Sequence, residues 1–362
     1  MRVLIIFNHP APYKVNAFNE LAKYVDLTVL FERTKAKDRP DSFYAGNKYN
    51  FKYLFLKHGY IGKEGSISND VRRFIKLNHQ NYDVILMNGY SHVAEIKAIK
   101  YMSSHKIRFG LLINGGIANK KEFFIKKAYK SSLIKKASFY LSPSQEANEY
   151  LKYYGADPTK IHNYFYSNLF DKEIKGATKK EKEEFRNKYS LSLDKKIFIN
   201  PSQFIDRKNN LFLISLFKDR EDVLLLVGDG PLKKDYERYI KDNKMDNVII
   251  LPYQSKEALF ELYKASDVHI TLSKKDIFGH TVLESLANGV PVISSKEVIS
   301  ALEYVKDGYN GFVVDLNDIE TIKLAMDKCS SSMHANALES VKNNTFENSA
   351  KSIYEILDKI YG

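Results

Sequence analysis

The sequence has a single cysteine, Cys329, so no disulfide closes within the chain and a cysteine-built metal site is not expected. It has no run of about 18 or more apolar residues, which removes a transmembrane helix. The opening "MRVLIIFNHPAPYKVN" carries only a short apolar run and no small-residue cleavage site, so it reads as a buried strand and not as a signal peptide. No cluster of Asp or His stands at ligand spacing, no short-period repeat occurs, and no nucleic-acid recognition module is present. The first βα position lacks G-x-G-x-x-G, which disfavours a nicotinamide dehydrogenase.

What is present is a chain of 362 residues, 44% apolar, long enough for two ordinary domains. Cysteine poverty fits a reducing cytoplasm. The net charge of +12 is uneven. Met1 to Phe165 holds 27 Lys and Arg against 13 Asp and Glu, and the remainder holds 29 against 31. A basic first half suggests a negatively charged partner: a membrane surface, a phosphorylated acceptor or nucleic acid. A Lys-rich solubilising surface is the plainer alternative.

The periodicity predicts an α/β protein. In the first half, "RVLIIF", "DLTVLFE", "YNFKYLFLK", "YDVILMNG", "RFGLLING", "SFYLSPS" and "IHNYFYS" read as strands. Between them lie the helical patterns "AFNELAKYV", "SNDVRRFIKLNHQ" (capped by Ser68 or Asn69), "HVAEIKAIKYMSSH" and the basic "KKEFFIKKAYKSSLIKKA". A charge-rich, partly helical stretch follows, with the domain boundary near Ser167. The alternation then restarts at "KIFINPSQ" and runs through "DVLLLVGDG", "NVIILPY", "DVHITLS" and "PVISS" to closing helices, with "SALEYVKDGYNGFVVD" leading into them. Such alternation indicates two Rossmann-like parallel sheets facing each other across a cleft, with ligands at the carboxyl ends of the strands.

Two stretches carry chemistry. "VGDGP" places Gly228 and Gly230 at a strand end, where a bare backbone lets a ligand approach closely. In "DIFGHTVLESLANG" the helical pattern sets Gly279, His280 and Thr281 at a helix N-terminus, suited to phosphate. Asp276 lies on the loop before that helix and Glu284 about one turn inside it. The pair can hold a sugar hydroxyl and a ribose hydroxyl; the alternative is a capping Asp and an exposed Glu. In the basic helix, Lys residues flank Phe123, Phe124, Tyr129, Leu133 and Ile134. It can lie on anionic lipid, or pack Phe124 and Ala128 on the sheet with the lysines in water, and the two readings are compatible. "FIKLNHQ" and "ERTKAKDR" add further positive charge to this half.

The five blocks "NPSQFIDRKNNLFLISLF", "LLLVGDGPLKKDYERYI", "VIILPYQSKEALFELYKASDVHITLS", "DIFGHTVLESLANGVPVISS" and "VKDGYNGFVVDLNDIETI" together resemble the GT-B glycosyltransferases of family GT4, a retaining group with a Glu-x7-Glu signature. "NHPAPYKVNAFNELAK" and "LLINGG" resemble acceptor-domain motifs of its bacterial surface-polysaccharide branch. The resemblance implies an acceptor domain over residues 1–166, a donor domain over 167–345 and a C-terminal helix, 346–362, crossing back to the first. It implies that Glu284 binds the donor ribose and Asp276, a shorter acid where the family has Glu, the donor sugar. Lys208 would bind the diphosphate. Gln203 stands where an Arg is usual; Arg207, next to Lys208, is either a substitute cation or a surface residue. Phe278, Gly279, His280 and Thr281 would also meet the donor, and Tyr253 and Gln254 the base. Where many relatives have a His, this chain has Asn114. His9, Tyr13 and His92 are the other acceptor-side candidates.

The reaction implied is sugar transfer, with retention, from a nucleotide-sugar, commonly a UDP-sugar, to a lipid-linked glycan on the path to capsule or another surface polymer. It needs no metal and no further cofactor, and runs in the cytoplasm with peripheral contact to the membrane's inner face. No nucleic-acid partner is expected. The rivals are a synthase acting on a small soluble sugar and a non-catalytic GT-B subunit supporting a partner enzyme; Gln203 is the feature favouring the second.

Overall fold

The computed structural model describes residues 1–36, 43–56 and 70–362. Ser68 and Asn69, expected to cap a helix, lie outside the described residues, as does part of the basic "ERTKAKDR". The chain divides into two units, Met1–Asn168 with Asn344–Gly362, and Leu169–Asn343. The observed division thus falls two residues beyond the expected 166/167 boundary, and the C-terminal helix is grouped with the first unit.

The first unit contains β1 (Arg2–Phe7), α1 (Pro12–Leu21), β2 (Asp26–Phe31), β3 (Lys52–Phe55), α2 (Asp70–Asn78), β4 (Val84–Met87), α3 (Val93–Ser104), β5 (Gly110–Leu112), α4 (Phe124–Ile134), β6 (Phe139–Ser142), α5 (Gln145–Tyr153) and β7 (Ile161–Asn163). Its strands form one parallel sheet in the order β3-β2-β1-β4-β5-β6-β7. Strands covered on both faces need apolar residues at every position. Accordingly "VLIIF" of β1 and "VILM" of β4 are wholly buried. Each such aliphatic side chain contributes roughly 1.5–3 kcal/mol.

The second unit contains α6 (Lys179–Lys188), β8 (Ile197–Pro201), α7 (Asn210–Ser215), β9 (Val223–Val227), α8 (Lys233–Asp242), β10 (Val248–Leu251), α9 (Lys256–Ala265), β11 (Val268–Thr271), α10 (His280–Ala287), β12 (Val292–Ser295), α11 (Ile299–Tyr304), β13 (Gly311–Val314), α12 (Ile319–Lys328) and α13 (His334–Val341). Its sheet runs β10-β9-β8-β11-β12-β13, again all parallel. The last helix, α14 (Phe346–Tyr361), packs on α1 of the first unit, where Tyr354 stacks on Tyr24 at 5.4 Å. In both sheets the strand order reverses once, between β1 and β4 and between β8 and β11. Those two points place the crevices that open α/β sheets use for ligands.

Local signals explain several helix starts. Thr178 and Glu181 form a reciprocal capping box at α6 (Thr178 N to Glu181 Oε2 2.8 Å, Glu181 N to Thr178 Oγ1 3.2 Å). Ser144, Ser255 and Thr345 cap α5, α9 and α14. Two expectations are corrected. The stretch "SALEYVKDGYNGFVVD" contains an unexpected strand, β13, hidden because Gly308 and Gly311 mask a run of only four residues. The basic helix starts at Phe124, and Phe124, at 70% exposure, and Ala128 face solvent; Leu133 and Ile134 are what pack inward.

One core residue is out of character. His269 lies in the middle of the second sheet, fully buried, with neither ring nitrogen hydrogen-bonded. Burial, and then the charge of Lys208, push its imidazole down to about 3. It is therefore neutral in the fold, whereas an unfolded His binds a proton below its ordinary value. The unfolded state then holds more protons between that value and about 3, so stability is lost as pH falls through this window. Replacing His269 by Leu is expected to keep or raise the melting temperature at pH 7. It should also flatten the loss of melting temperature between pH 7 and pH 5, read by thermal unfolding at both.

Candidate active site

The strongest polar constellation sits at the reversal point of the second sheet. After β8 the chain enters a tight 3-10 turn, Asp206–Lys208, which Asn209 ends in the left-handed conformation at φ 58°. After β11 comes the loop bearing Asp276. Lys208 Nζ donates to Asp276 Oδ2, and Arg207 Nη1 lies 3.7 Å from Asp276 Oδ1. Both partners of the first pair are largely withdrawn from water, with side chains 10% and 16% exposed. The two segments are joined again by Lys274 N to Arg207 O (2.8 Å), Lys274 Nζ to Asp206 Oδ1 (2.8 Å) and Arg207 Nη1 to Lys275 O (3.3 Å).

A third segment, before and inside α11, holds the loop from behind. Asp276 N donates to Glu297 O at 2.9 Å, Ser300 N to Phe278 O at 2.8 Å, and Ser300 Oγ to Gly279 O at 2.8 Å. Gly279 caps α10 at φ 89°, and a Cβ there would stand 2.5 Å from Val298 Cγ1, so both conformation and space require glycine. α10 then begins at His280, with the positive end of its dipole at the Asp276 loop. Glu284 follows one turn in. Beneath, the Tyr263 hydroxyl donates to Thr281 O at 3.1 Å, and burial together with the Glu284 charge keeps its proton on. Glu297 and Ser300 lie outside the family-resembling blocks, and Tyr263, inside one, has no spacing that marks it.

The structure thus brings Arg207, Lys208, Asp276, Gly279, His280, Thr281 and Glu284 onto two adjoining segments of one unit. Other expected donor residues fall differently. Gly228 and Gly230 do permit a close approach, but by backbone: their Cβ atoms would meet Ser202 O at 2.0 Å and Phe204 O at 2.6 Å. They seat the segment carrying Gln203, which is pinned by Phe204 N to Asp229 O at 2.8 Å. Phe278 is 4% exposed, with its ring against His280 at 5.1 Å. Tyr253 is exposed, and Gln254 Nε2 folds back on Pro252 O at 3.0 Å.

In the first unit the acceptor-side candidates lie after β1, β4 and β5. His9 Nδ1 meets the Tyr44 hydroxyl at 3.1 Å. His92 caps α3 between two buried carboxylates, 3.5 Å from Glu95 Oε1 and 3.8 Å from Glu32 Oε2. Burial opposes its charge, yet the two acids outweigh burial and hold it up at about 10. Glu32, His92 and Glu95 stand at metal-ligand spacing, a cluster that their sequence separation conceals. Without an ion, the trio is held by the attraction of the His92 ring for the two carboxylates. Asn114 accepts from Lys14 Nζ at 2.7 Å and donates to Asn88 Oδ1 at 3.0 Å. Tyr13 turns its ring toward the same Lys14, 5.8 Å from Nζ. Lys14, an unremarked lysine in the sequence, is buried, and burial lowers its ammonium to about 7.

Set beside known proteins, the two parallel sheets are the GT-B glycosyltransferase fold. Over 99% of this chain and 100% of the other, they match a crystal structure of Anabaena HepE in complex with UDP, with a TM-score of 0.78 at 16% identity. Residues 181–347 match the family model described as glycosyl transferases group 1, and the second unit belongs to that family, as its GT4 motifs implied. Among curated relatives, the N-acetyl-alpha-D-glucosaminyl L-malate synthase of Bacillus anthracis is 29% identical over 179 residues, 47% of this chain and 45% of that protein. The alpha-monoglucosyldiacylglycerol synthase of Streptococcus pneumoniae is 33% identical over 119 residues, 31% and 26% of the two chains. The chain thus spans less than half the length of these curated relatives.

The buried pair makes a stability prediction. Asp276→Ala leaves Lys208 without its carboxylate and is expected to cost about 3 kcal/mol in urea unfolding. The double change Lys208→Met with Asp276→Leu should recover most of that loss, because it removes both charges.

Proposed function

We propose that this chain is a retaining glycosyltransferase of the hexosyl-transferring type, moving a sugar from a UDP-sugar to a lipid-linked glycan during surface-polysaccharide synthesis such as capsule or exopolysaccharide. The observation that carries the reading is the Lys208–Asp276 pair beside the N-terminus of α10, with Glu284 one turn away. Lys208 and the helix end meet the donor diphosphate and stabilise the charge that grows on it as the glycosidic bond breaks. Glu284 accepts from the ribose hydroxyls, and Asp276 accepts from the sugar. To do so Asp276 shares or yields its bond to Lys208 when the diphosphate arrives. Arg207, the second cation at Asp276, stands in for the Arg replaced by Gln203. With two cations and a helix dipole at the diphosphate, the reaction proceeds without a metal.

The expected result in a thermal-shift panel of UDP-, GDP- and ADP-sugars is stabilisation by a UDP-sugar; a panel with no response overturns the donor site. A turnover screen of the same donors against lipid-linked glycans and small hydroxy acids then identifies the acceptor. Lys208→Ala and Glu284→Ala should each reduce transfer by about a hundredfold or more, with Lys208→Ala also losing stability to the same degree as Asp276→Ala because it leaves the other half of the buried pair alone. The malate named in the Bacillus relative supports a second reading, a small soluble acceptor, and the screen separates the two.

We infer that the lipid-linked acceptor is met at the inner face of the membrane through the start of α4. No helix among the described residues is long and apolar enough to span a membrane. Instead Phe123, Phe124, Ile125 and Tyr129 are 44–70% exposed among Lys120, Lys121, Lys126 and Lys127, the composition of an interfacial contact. Flotation with vesicles containing anionic phosphatidylglycerol is expected to recover the protein, and neutral phosphatidylcholine vesicles to recover far less. Phe123→Ser with Phe124→Ser should abolish the difference; equal recovery on both vesicles overturns the claim.

A further inference from the structure

The donor site leaves unused a polar cluster beside the reversal point of the first sheet. Lys14, in the first turn of α1, is 4% exposed. Its Nζ lies 4.1 Å from the centre of the Tyr166 ring and 5.3 Å from that of Phe7, and its hydrogen bond goes to Asn114 Oδ1 at 2.7 Å. Among the described residues no carboxylate pairs with it. The location is costly twice over: an amine is desolvated without a counter-ion, and it stands at the positive end of a helix. A Met or Leu of similar length would fill the same space without either cost. Groups kept at such cost on the carboxyl edge of a parallel sheet mark a ligand site.

The hydrogen-bond arithmetic says what Lys14 does there. A carboxamide has two lone pairs on oxygen and two hydrogens on nitrogen. Asn114 spends one lone pair on Lys14 and one hydrogen on Asn88 Oδ1, 3.0 Å away. One acceptor position and one donor position remain, on a side chain that is only half-buried. That is the complement of neighbouring sugar hydroxyls, each of which can give one hydrogen bond and take another. The flipped amide would set its NH2 against the Nζ hydrogens, so Lys14 fixes which edge Asn114 offers.

We propose that Lys14, Asn114 and Asn88 form the seat for the acceptor's hydroxyls, in which Asn114 touches the acceptor and Lys14 is the positioning residue that orients it. The proposal rests on the transferase reading above and names the acceptor-side chemistry: a hydroxyl pair, not an anion.

The test uses the full chain and the donor and acceptor found by the turnover screen. Lys14→Met is expected to raise the acceptor KM about tenfold or more, with the donor KM and the UDP-induced thermal shift unchanged. Its melting temperature should equal or exceed that of the unaltered protein, because a buried unpaired amine has been removed. Lys14→Gln keeps an N–H for Asn114 Oδ1 and should recover part of the acceptor affinity. An unchanged acceptor KM in Lys14→Met overturns the proposal. So does a fall in melting temperature with both KM values rising together, which marks a merely structural lysine. If the unaltered protein turns over no donor–acceptor pair in the screen, the transferase reading fails and this seat with it; turnover with an indifferent Lys14→Met fails the seat alone.

Discussion

The pairing of Lys208 with Asp276 is the interaction on which the second unit's site depends. Neither charge tolerates its degree of burial alone, since each ion would lose several kcal/mol of hydration without a partner. Their union therefore fixes two loops that come from strands far apart in the chain but adjacent in the sheet. Everything else at the site is arranged around that joint: the Lys274 contacts reinforce it from one side, and Ser300 and Glu297 hold the Asp276 loop from the other. Gly279 then lets the chain turn sharply enough to start α10 at the same place. The outcome is an ammonium, a guanidinium and a helix end gathered around the Asp276 carboxylate.

The first unit solves a related problem differently. Its carboxyl edge also gathers charge, but in two separate ways. At His92 the charge is fully compensated, a cation clasped by Glu32 and Glu95, and its effect is to tie β2 to the start of α3. For this group, whose proton is held more tightly in the fold, the stabilisation is complete below the ordinary imidazole value and fades as pH rises toward about 10. At Lys14 the charge is not compensated at all, and the amine leans on an amide and aromatic faces. A stable structure needs the first arrangement and gains nothing from the second. That contrast is the reason the two neighbouring cations are read so differently.

The fold was largely legible in the sequence because parallel strands buried on both faces leave continuous Val, Ile and Leu runs, and helices between them keep a different period. "RVLIIF" and "DVLLLVGDG" could hardly be anything else. β13 escaped because four residues opening on a glycine carry too little pattern, and its place at the sheet edge is decided by pairing with β12. The exposed start of α4 stayed open for the opposite reason. An amphipathic pattern says that one face is apolar, but only packing says that Leu133 and Ile134 take the core while Phe124 is left outside.

For the site, the local motif carried far. The glycine, the helix start and the two acids of "DIFGHTVLES" stand within ten residues, so their order along one helix is a matter of local geometry. The sequence by itself therefore determined the two α/β units, the family of the second and the Asp276-to-Glu284 stretch. It could not decide that Asp276 closes on Lys208, 68 residues earlier, that Gly228 and Gly230 accommodate backbone, or that Lys14 meets Asn114 across 100 residues. Those are contacts between elements remote in the chain, and only the strand order, reversing at β8 and β11 and at β1 and β4, brings them within hydrogen-bonding distance.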